Sequence, residues 1–243
     1  MEVGWMDPDK GAAIIKAADE ILSGEMRDQF VVDRFQAGAG TSTNMNVNEV
    51  IANRALEIMG HPLGSYNIIS PNDDVNMAQS TNDTFPTAMH ISVYRMTMDL
   101  VDVISELARG FEEKGREFKD FMKTGRTHLQ DAVPVTLGGE LKAYASALSR
   151  VNDEMRRRAS QLLELPLGGT ATGTGINAHK EYRERAIGHL PDLTGYDLRP
   201  NPSAHEAMQS TTRIVAVSSS YKELAIELGR MANDLRLLSS GPT

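Results

Sequence analysis

The chain has 243 residues, 40% of them hydrophobic, 24% charged and only 5% aromatic, with a formal net charge of −8. That length allows one large domain, or a domain with an appendage, and a substantial core. The acidic balance argues against bulk binding of nucleic acid or of an acidic membrane, which need a basic face, but leaves room for a small anion at a local site; the absence of cysteine excludes disulfides, thiolate metal sites and a cysteine nucleophile.

The first residues, MEVGWMDPDKGAAIIKAADEIL, carry neither a basic start nor a continuous apolar stretch, so no signal peptide is expected. No run approaches the roughly 18 apolar residues of a membrane span. A soluble, cytoplasmic protein is expected. Asp7-Pro8-Asp9 opens a helix with Ala12, Ile15, Ala18 and Leu22 at helical spacing and Gly24 as its stop. The segment through Val31 and Val32 reads as extended or irregular. The glycines at 38 and 40, with Thr41, Ser42, Thr43 and Asn44, precede a helix expected over about 45–59, stopped by Gly60. Thr41 or Ser42 could simply cap that helix, worth about 1 kcal/mol. The glycines also let backbone N–H groups approach a ligand closely.

Ser70 to His90, SPNDDVNMAQSTNDTFPTAMH, is the most informative stretch. Turn residues lead to Gln79-Ser80-Thr81-Asn82-Asp83, then to a long helix over about 82–119. A helix start presents unpaired N–H groups and roughly half a positive charge, and so suits a carboxylate. Ile91, Tyr94, Met98, Val101, Ile104, Ala108 and Phe111 trace one apolar seam; Val93, Met96, Leu100, Val103 and Leu107 trace a second on nearly the opposite face. A helix apolar on two faces belongs inside a bundle. Lys123 to Asp131 reads as a polar loop closed by Pro134. A near-heptad follows in Leu137, Leu141, Tyr144, Leu148, Val151, Met155 and Leu162. Leu167 to Asn177 is a glycine-threonine loop, and a short helix is expected near 181–190. The last helix alternates spacings of three and four through Ile214, Val217, Tyr221, Leu224, Leu228, Met231, Leu235 and Leu238. These long helices predict an all-α, antiparallel bundle, and the second seam predicts an oligomer.

No metal-ligand cluster, phosphate loop or nucleophile elbow is present in the sequence. His61, His179, His189 and His205 are scattered and read as surface or structural residues. Three polar regions stand out instead: Thr41 with its neighbours, Ser80-Thr81-Asn82, and Thr127-His128. Uncharged donors of this kind can grip a small dicarboxylate and meet the charge that develops when a proton is removed beside a carboxylate. A separate proton acceptor would be needed.

The stretches GAGTSTNMN (38–46), QSTNDTFPTA (79–88), GRTHLQDA (125–132), GGTATGTGIN (168–177) and NDLRLLSSGP (233–242) resemble the aspartase/class II fumarase superfamily, in order and over nearly the whole chain. The resemblance implies a homotetramer with a twenty-helix core, active sites shared between subunits, and reversible anti elimination giving fumarate. It implies that Thr41, Ser80 and Thr81 bind the carboxylate that becomes the enediolate, that Asn82 lies near the amino or hydroxyl group, and that Thr127 and His128 hold the other carboxylate. It implies no cofactor and no metal. It further implies residues 1–43 as a remnant of an N-terminal domain and 44–243 as an incomplete central helical domain, with the serine base beyond Thr243 and an isolated chain without activity. Within the family, the GAGTS start and LRLLSSGP ending favour the ammonia-lyases acting on L-aspartate. NDTFPTAMH favours the fumarate hydratases, and a non-catalytic helical assembly module is the remaining alternative.

Overall fold

The computed structural model describes residues 1–35 and 40–241. Its order is α1 (Pro8–Leu22), α2 (Thr41–Ile58), α3 (Thr81–Glu117), β1 (Met122–Thr127), β2 (Gln130–Thr136), α4 (Leu137–Ala159), β3 (Glu164–Leu165), α5 (Tyr182–Thr194), β4 (Arg199–Pro200), α6 (Ala204–Gln209) and α7 (Thr212–Leu238). The class is all-α, as the periodicities require. The chain divides into two compact units, residues 1–90 with 163–210, and 91–162 with 211–243. Helix α3 gives its first turns to one and the rest to the other.

In the first unit Asp7 caps α1, its Oδ1 accepting the N–H groups of Asp9 (3.0 Å) and Lys10 (3.1 Å), with Pro8 in the first turn. Gly24, at φ +101°, takes the left-handed conformation just past the helix end. Ala13 and Ala17 of α1 meet Ala52, Ala55 and Leu56 of α2 and the buried Ile69. Small side chains at that contact let the two helices approach closely. A short 3-10 turn at Arg27–Gln29 occupies part of the segment expected to be irregular. A π-type turn, Pro71–Val75, leads toward α3. Helix α2 starts at Thr41, four residues before the expected start, with Gly40 at φ +87° before it; the preceding Gly38 and Ala39 lie outside the described residues.

The second unit is the bundle. Val101, Ile104 and Ala108 of α3, Leu141, Tyr144, Leu148 and Met155 of α4, and Leu224 and Met231 of α7 form one buried cluster. Polar contacts fix the directions. Tyr144 bonds Asp234 while Arg158 reaches the Ala216 carbonyl, and Asn152 bonds Val101 and Ser105 while Phe111 meets Tyr144 edge-on. Helix α4 therefore runs antiparallel to both α3 and α7, as the heptads predict. The second seam of α3 is divided: Val93 and Leu100 pack against buried clusters, whereas Met96 (68%) and Val103 (60%) are exposed, as is Leu107.

The stretch expected to be a polar loop is instead an antiparallel hairpin, β1 pairing β2 from Met122↔Thr136 to Thr127↔Gln130. Thr, Val and Arg alternate well enough for strands, and the pairing is interrupted by a bulge between Thr124 and Arg126. Buried Gly125 sits there, where a Cβ would press on the Val133 carbonyl.

The end of α3 and the start of α4 meet through a tight approach of backbones. A Cβ on buried Gly138 would collide with the Gly115 carbonyl and the Lys119 backbone, whereas one on Gly110, also in a helix, meets nothing within 4 Å. Opposite outcomes are expected from one substitution type. Gly138→Ala should lower unfolding free energy by about 1–3 kcal/mol through overpacking, and Gly110→Ala should raise it by about 0.5–1 kcal/mol through helix propensity. Urea denaturation of both variants measures this; equal shifts would contradict the packing described.

Candidate functional site

The start of α3 is built by a capping box. Ser80 Oγ accepts the Asn82 N–H at 3.2 Å, while Asp83 Oδ1 accepts the Ser80 N–H at 2.9 Å. The Ser80 carbonyl takes the N–H groups of Asp83 (3.1 Å) and Thr84 (3.0 Å). Of the N–H groups at this helix start, that of Thr81 has no acceptor among the described residues. The Ser80 hydroxyl still has its proton to donate.

Asp83 does more than cap. Its Oδ2 accepts the N–H groups of Gly168 (3.1 Å) and Thr170 (2.8 Å) from the glycine-threonine loop, and the residue is wholly buried. Gly168 (φ +85°) and Thr170 (φ +56°) are both left-handed, which turns their N–H groups toward one oxygen. Asn82 adds a second tie, donating from Nδ2 to the Ala171 carbonyl at 2.8 Å. Burial pushes the Asp83 carboxyl above the usual aspartate range, although the N–H groups of Ser80, Thr170, Gly168 and Thr84 pull it down. Tyr182, itself raised by burial, bonds Gln79 and feels the Asp83 charge.

The first turn of α2 lies against the first turns of α3. Thr84 Oγ1 donates to Asn44 Oδ1 at 3.2 Å, Asn44 Nδ2 donates to Asn76 Oδ1 at 3.4 Å, and a Cβ on Gly40 would fall on the Phe85 ring. The structure thus brings Thr41, Ser80, Thr81 and Asn82 into one region of the first unit. Gly40 occupies the N-cap position of α2, so Thr41 and Ser42 stand inside the helix as its first two residues and the simple capping reading of either fails. Thr127 and His128 belong to the second unit, exposed at the hairpin end, with His128 (φ +51°) and Leu129 (φ +61°) forming its two-residue turn.

The other histidines have local roles. His179 meets Trp5 edge-on, His189 pairs with Glu2 at 3.0 Å, and His205 packs beside Gly173. His90, buried, bonds the Glu164 carbonyl through Nδ1 at 3.1 Å. Among residues the sequence reading passed over, Asp83 matters most. The Ser-x-x-Asp spacing before an apolar run was its visible signal. Its reach to Gly168 and Thr170 had no local signal.

A raised carboxyl pKa has a definite sign. The ionised form is less favourable in the folded than in the unfolded chain, so the contribution is fully present below the unfolded pKa and is lost as pH rises through the folded one. The unfolding free energy of the native chain minus that of Asp83→Asn should therefore fall as pH rises from about 4 upward. Denaturation curves across that range check it; a difference that grew with pH would reverse the assignment.

The family model described as "Lyase" matches residues 1–243. The aspartate ammonia-lyase of Escherichia coli (strain K12) is 50% identical over 231 residues, which are 95% of this chain and 48% of that protein. The class II fumarate hydratase of Helicobacter pylori is 47% identical over 242 residues, 99% of this chain and 52% of that protein. A crystal structure described as fumarate lyase:delta crystallin from Brucella melitensis, bound to cobalt, superposes with a TM-score of 0.94 at 48% identity, covering 99% of this chain and 52% of that one. The chain spans about half the length of the curated relatives it matches. With the whole of its sequence matched and its helices superposed, the chain belongs to the lyase family that holds the aspartate ammonia-lyases and the class II fumarate hydratases.

Proposed function

We propose that this chain supplies the helix-end part of a dicarboxylate site in an aspartate ammonia-lyase, which converts L-aspartate to fumarate and ammonia by anti elimination. One observation carries the reading: at the start of α3 the acceptors of Ser80 and Asp83 are used internally, while the Thr81 N–H and the hydroxyl protons of Ser80 and Thr81 are left as donors. Such donors, at the positive end of a helix, fit a carboxylate. Thr41, Ser80 and Thr81 would hold the carboxylate next to the carbon that loses its proton. A base takes that proton, the electron pair moves into the carboxylate as an enediolate, and its return forms the carbon–carbon double bond as the amino group leaves as ammonia. Preorganised donors stabilise the doubly charged intermediate. Asn82 would face the amino group; Thr127 and His128, from another copy, would hold the second carboxylate. No residue of this chain is assigned as the base, which the family resemblance puts on a serine beyond Thr243.

We further propose a homotetramer in the cytoplasm, without cofactor or metal, and a central helical domain over 44–243 preceded by part of an N-terminal one. No helix among the described residues is long and apolar enough to cross a membrane. The hydratase reading stands second, supported by NDTFPTAMH and by the 47% identity to a class II fumarate hydratase.

An assay of fumarate absorbance on L-aspartate and L-malate, side by side, tests the choice. The 243-residue chain alone should be silent. Mixed with a polypeptide covering the remainder of a matched relative, it should release fumarate from L-aspartate faster than from L-malate. The reverse order supports the hydratase, and silence on both leaves a non-catalytic assembly module. Ser80→Ala should weaken fumarate binding about tenfold or more, the loss expected for a hydrogen bond to a charged group; titration calorimetry reads it.

The outward seam of α3, with Met96, Val103 and Leu107 exposed, supports the assembly. Light scattering at micromolar concentration should give a mass well above the 26.6 kDa of one chain, and Val103→Lys should lower it. A monomer in the native chain would refute the tetramer.

A further inference from the structure

We propose that Asp83 is a positioning residue: its carboxylate clamps the glycine-threonine loop onto the first turn of α3, and the clamped loop sets which atom of Asn82 faces outward. Helix capping alone would engage only one oxygen. Here Oδ1 serves the Ser80 N–H at 2.9 Å, and Oδ2 separately collects Gly168 (3.1 Å) and Thr170 (2.8 Å) from 85 and 87 residues away. A wholly buried carboxylate cannot exchange these donors for water.

The loop has little freedom to answer otherwise. A Cβ on Gly168 would press on Arg183, one on Gly169 on Met208, and one on Gly173 on His205, so the loop is packed from behind at these three glycines. The next residue after the clamp, Ala171, presents its carbonyl to Asn82 Nδ2 at 2.8 Å. A carbonyl only accepts, so the amide nitrogen of Asn82 must face the loop. The exposed atom is then Oδ1, an acceptor with no partner among the described residues. Were the loop to swing away, the amide could turn over and present N–H donors instead. Asp83 thus acts through Thr170 and Ala171 on the polarity of Asn82, without touching a ligand itself. An outward acceptor beside a cluster of donors would distinguish the N–H or O–H end of a substrate from its carboxylates. That last step rests on the dicarboxylate reading proposed above; the clamp does not.

Amide hydrogen exchange on the 243-residue chain, with nitrogen-labelled NMR for the Asn82 side chain, tests it. In the native chain the Ser80, Gly168 and Thr170 amides should exchange together, at least about tenfold more slowly than those of Thr172, Thr174, Ile176 and Asn177. The Asn82 side-chain amide should give two sharp, well-separated proton signals. In Asp83→Asn all three backbone amides should speed up by about 10- to 100-fold, the span expected for losing a bond to a charged acceptor. The Asn82 pair should broaden or merge, while Leu148 in the other unit keeps its rate. Unchanged rates and an unchanged Asn82 pair in the variant would overturn the proposal. Should the variant not fold, the native chain decides alone: three unrelated rates, or rates equal to the loop tip, would overturn it, and matched slow rates would support it. Fumarate titration into the native chain separates the two claims. Intact protection without fumarate binding sinks the functional reading and keeps the clamp; fumarate binding with a variant that leaves protection unchanged does the reverse.

Discussion

A carboxylate removed from water has to find all its hydrogen bonds inside the protein, and Asp83 finds them on backbone N–H groups from two distant segments. The first unit depends on this contact. Without it the start of α3 would still be a capped helix, and the glycine-threonine loop would still have its glycines, but nothing would fix one against the other. The neighbouring ties are weaker and follow the same line: Asn82 to Ala171, Thr84 to Asn44, Asn44 to Asn76. Together they bring the first turns of α2 and α3 and the loop into one polar region while consuming most of its acceptors. What they leave over is a set of donors with one acceptor, Asn82 Oδ1, beside them.

The second unit is held by apolar seams, and its few polar contacts set register. Thr97 meets the Tyr221 hydroxyl at 2.6 Å, Tyr144 meets Asp234 at 3.1 Å, and Asn152 bonds the Val101 carbonyl at 3.0 Å and Ser105 at 2.8 Å. The Asn152 arrangement is costly, because its Oδ1 is buried with no partner among the described residues. An unsatisfied buried acceptor costs about 1–3 kcal/mol. A leucine there would avoid the cost but would also remove the buried side-chain hydrogen bonds that fix the register of α3 on α4. Burial of Tyr144 beside Asp234 also raises its phenol to about 12, so its hydroxyl keeps the proton it donates at any ordinary pH.

Much of the architecture was legible in the sequence because heptads are local. The α7 seam from Ile214 to Leu238 and the α4 seam from Leu137 to Leu162 correspond to the buried cluster almost residue for residue, until Leu235 and Leu238 emerge at the end. The two faces of α3 were equally plain. Where the reading failed, the deciding force was not local. Lys123 to Asp131 looked like a loop closed by Pro134 because the strands there are polar, and because the turn lacks the Asn-Gly or Gly-Gly pair that marks a tight hairpin. Helix α2 begins early because Gly40 against Phe85 anchors its first turn, a contact across some 45 residues. As for the candidate site, the composition of Ser80-Thr81-Asn82 was visible; that Asp83 would spend its charge on a loop near residue 170 was not.

The hairpin turn carries one further argument. His128 and Leu129 hold φ at +51° and +61°, a region where side chains other than glycine, asparagine or aspartate are disfavoured by about 1–2 kcal/mol each. Glycine at either position would relieve that strain, and nothing in the pairing of β1 with β2 demands an imidazole or an isobutyl group there. Both side chains are exposed, so neither is repaid by burial within its own chain. Strain kept without a local return points to a return elsewhere, the direction in which such outliers support function. The exposed α3 seam makes the same demand, since Met96 and Val103 gain nothing from water. The assembly proposed above would meet both: copies of the chain would associate along α3, and the hairpin of one would deliver His128 to the donors at the helix starts of another.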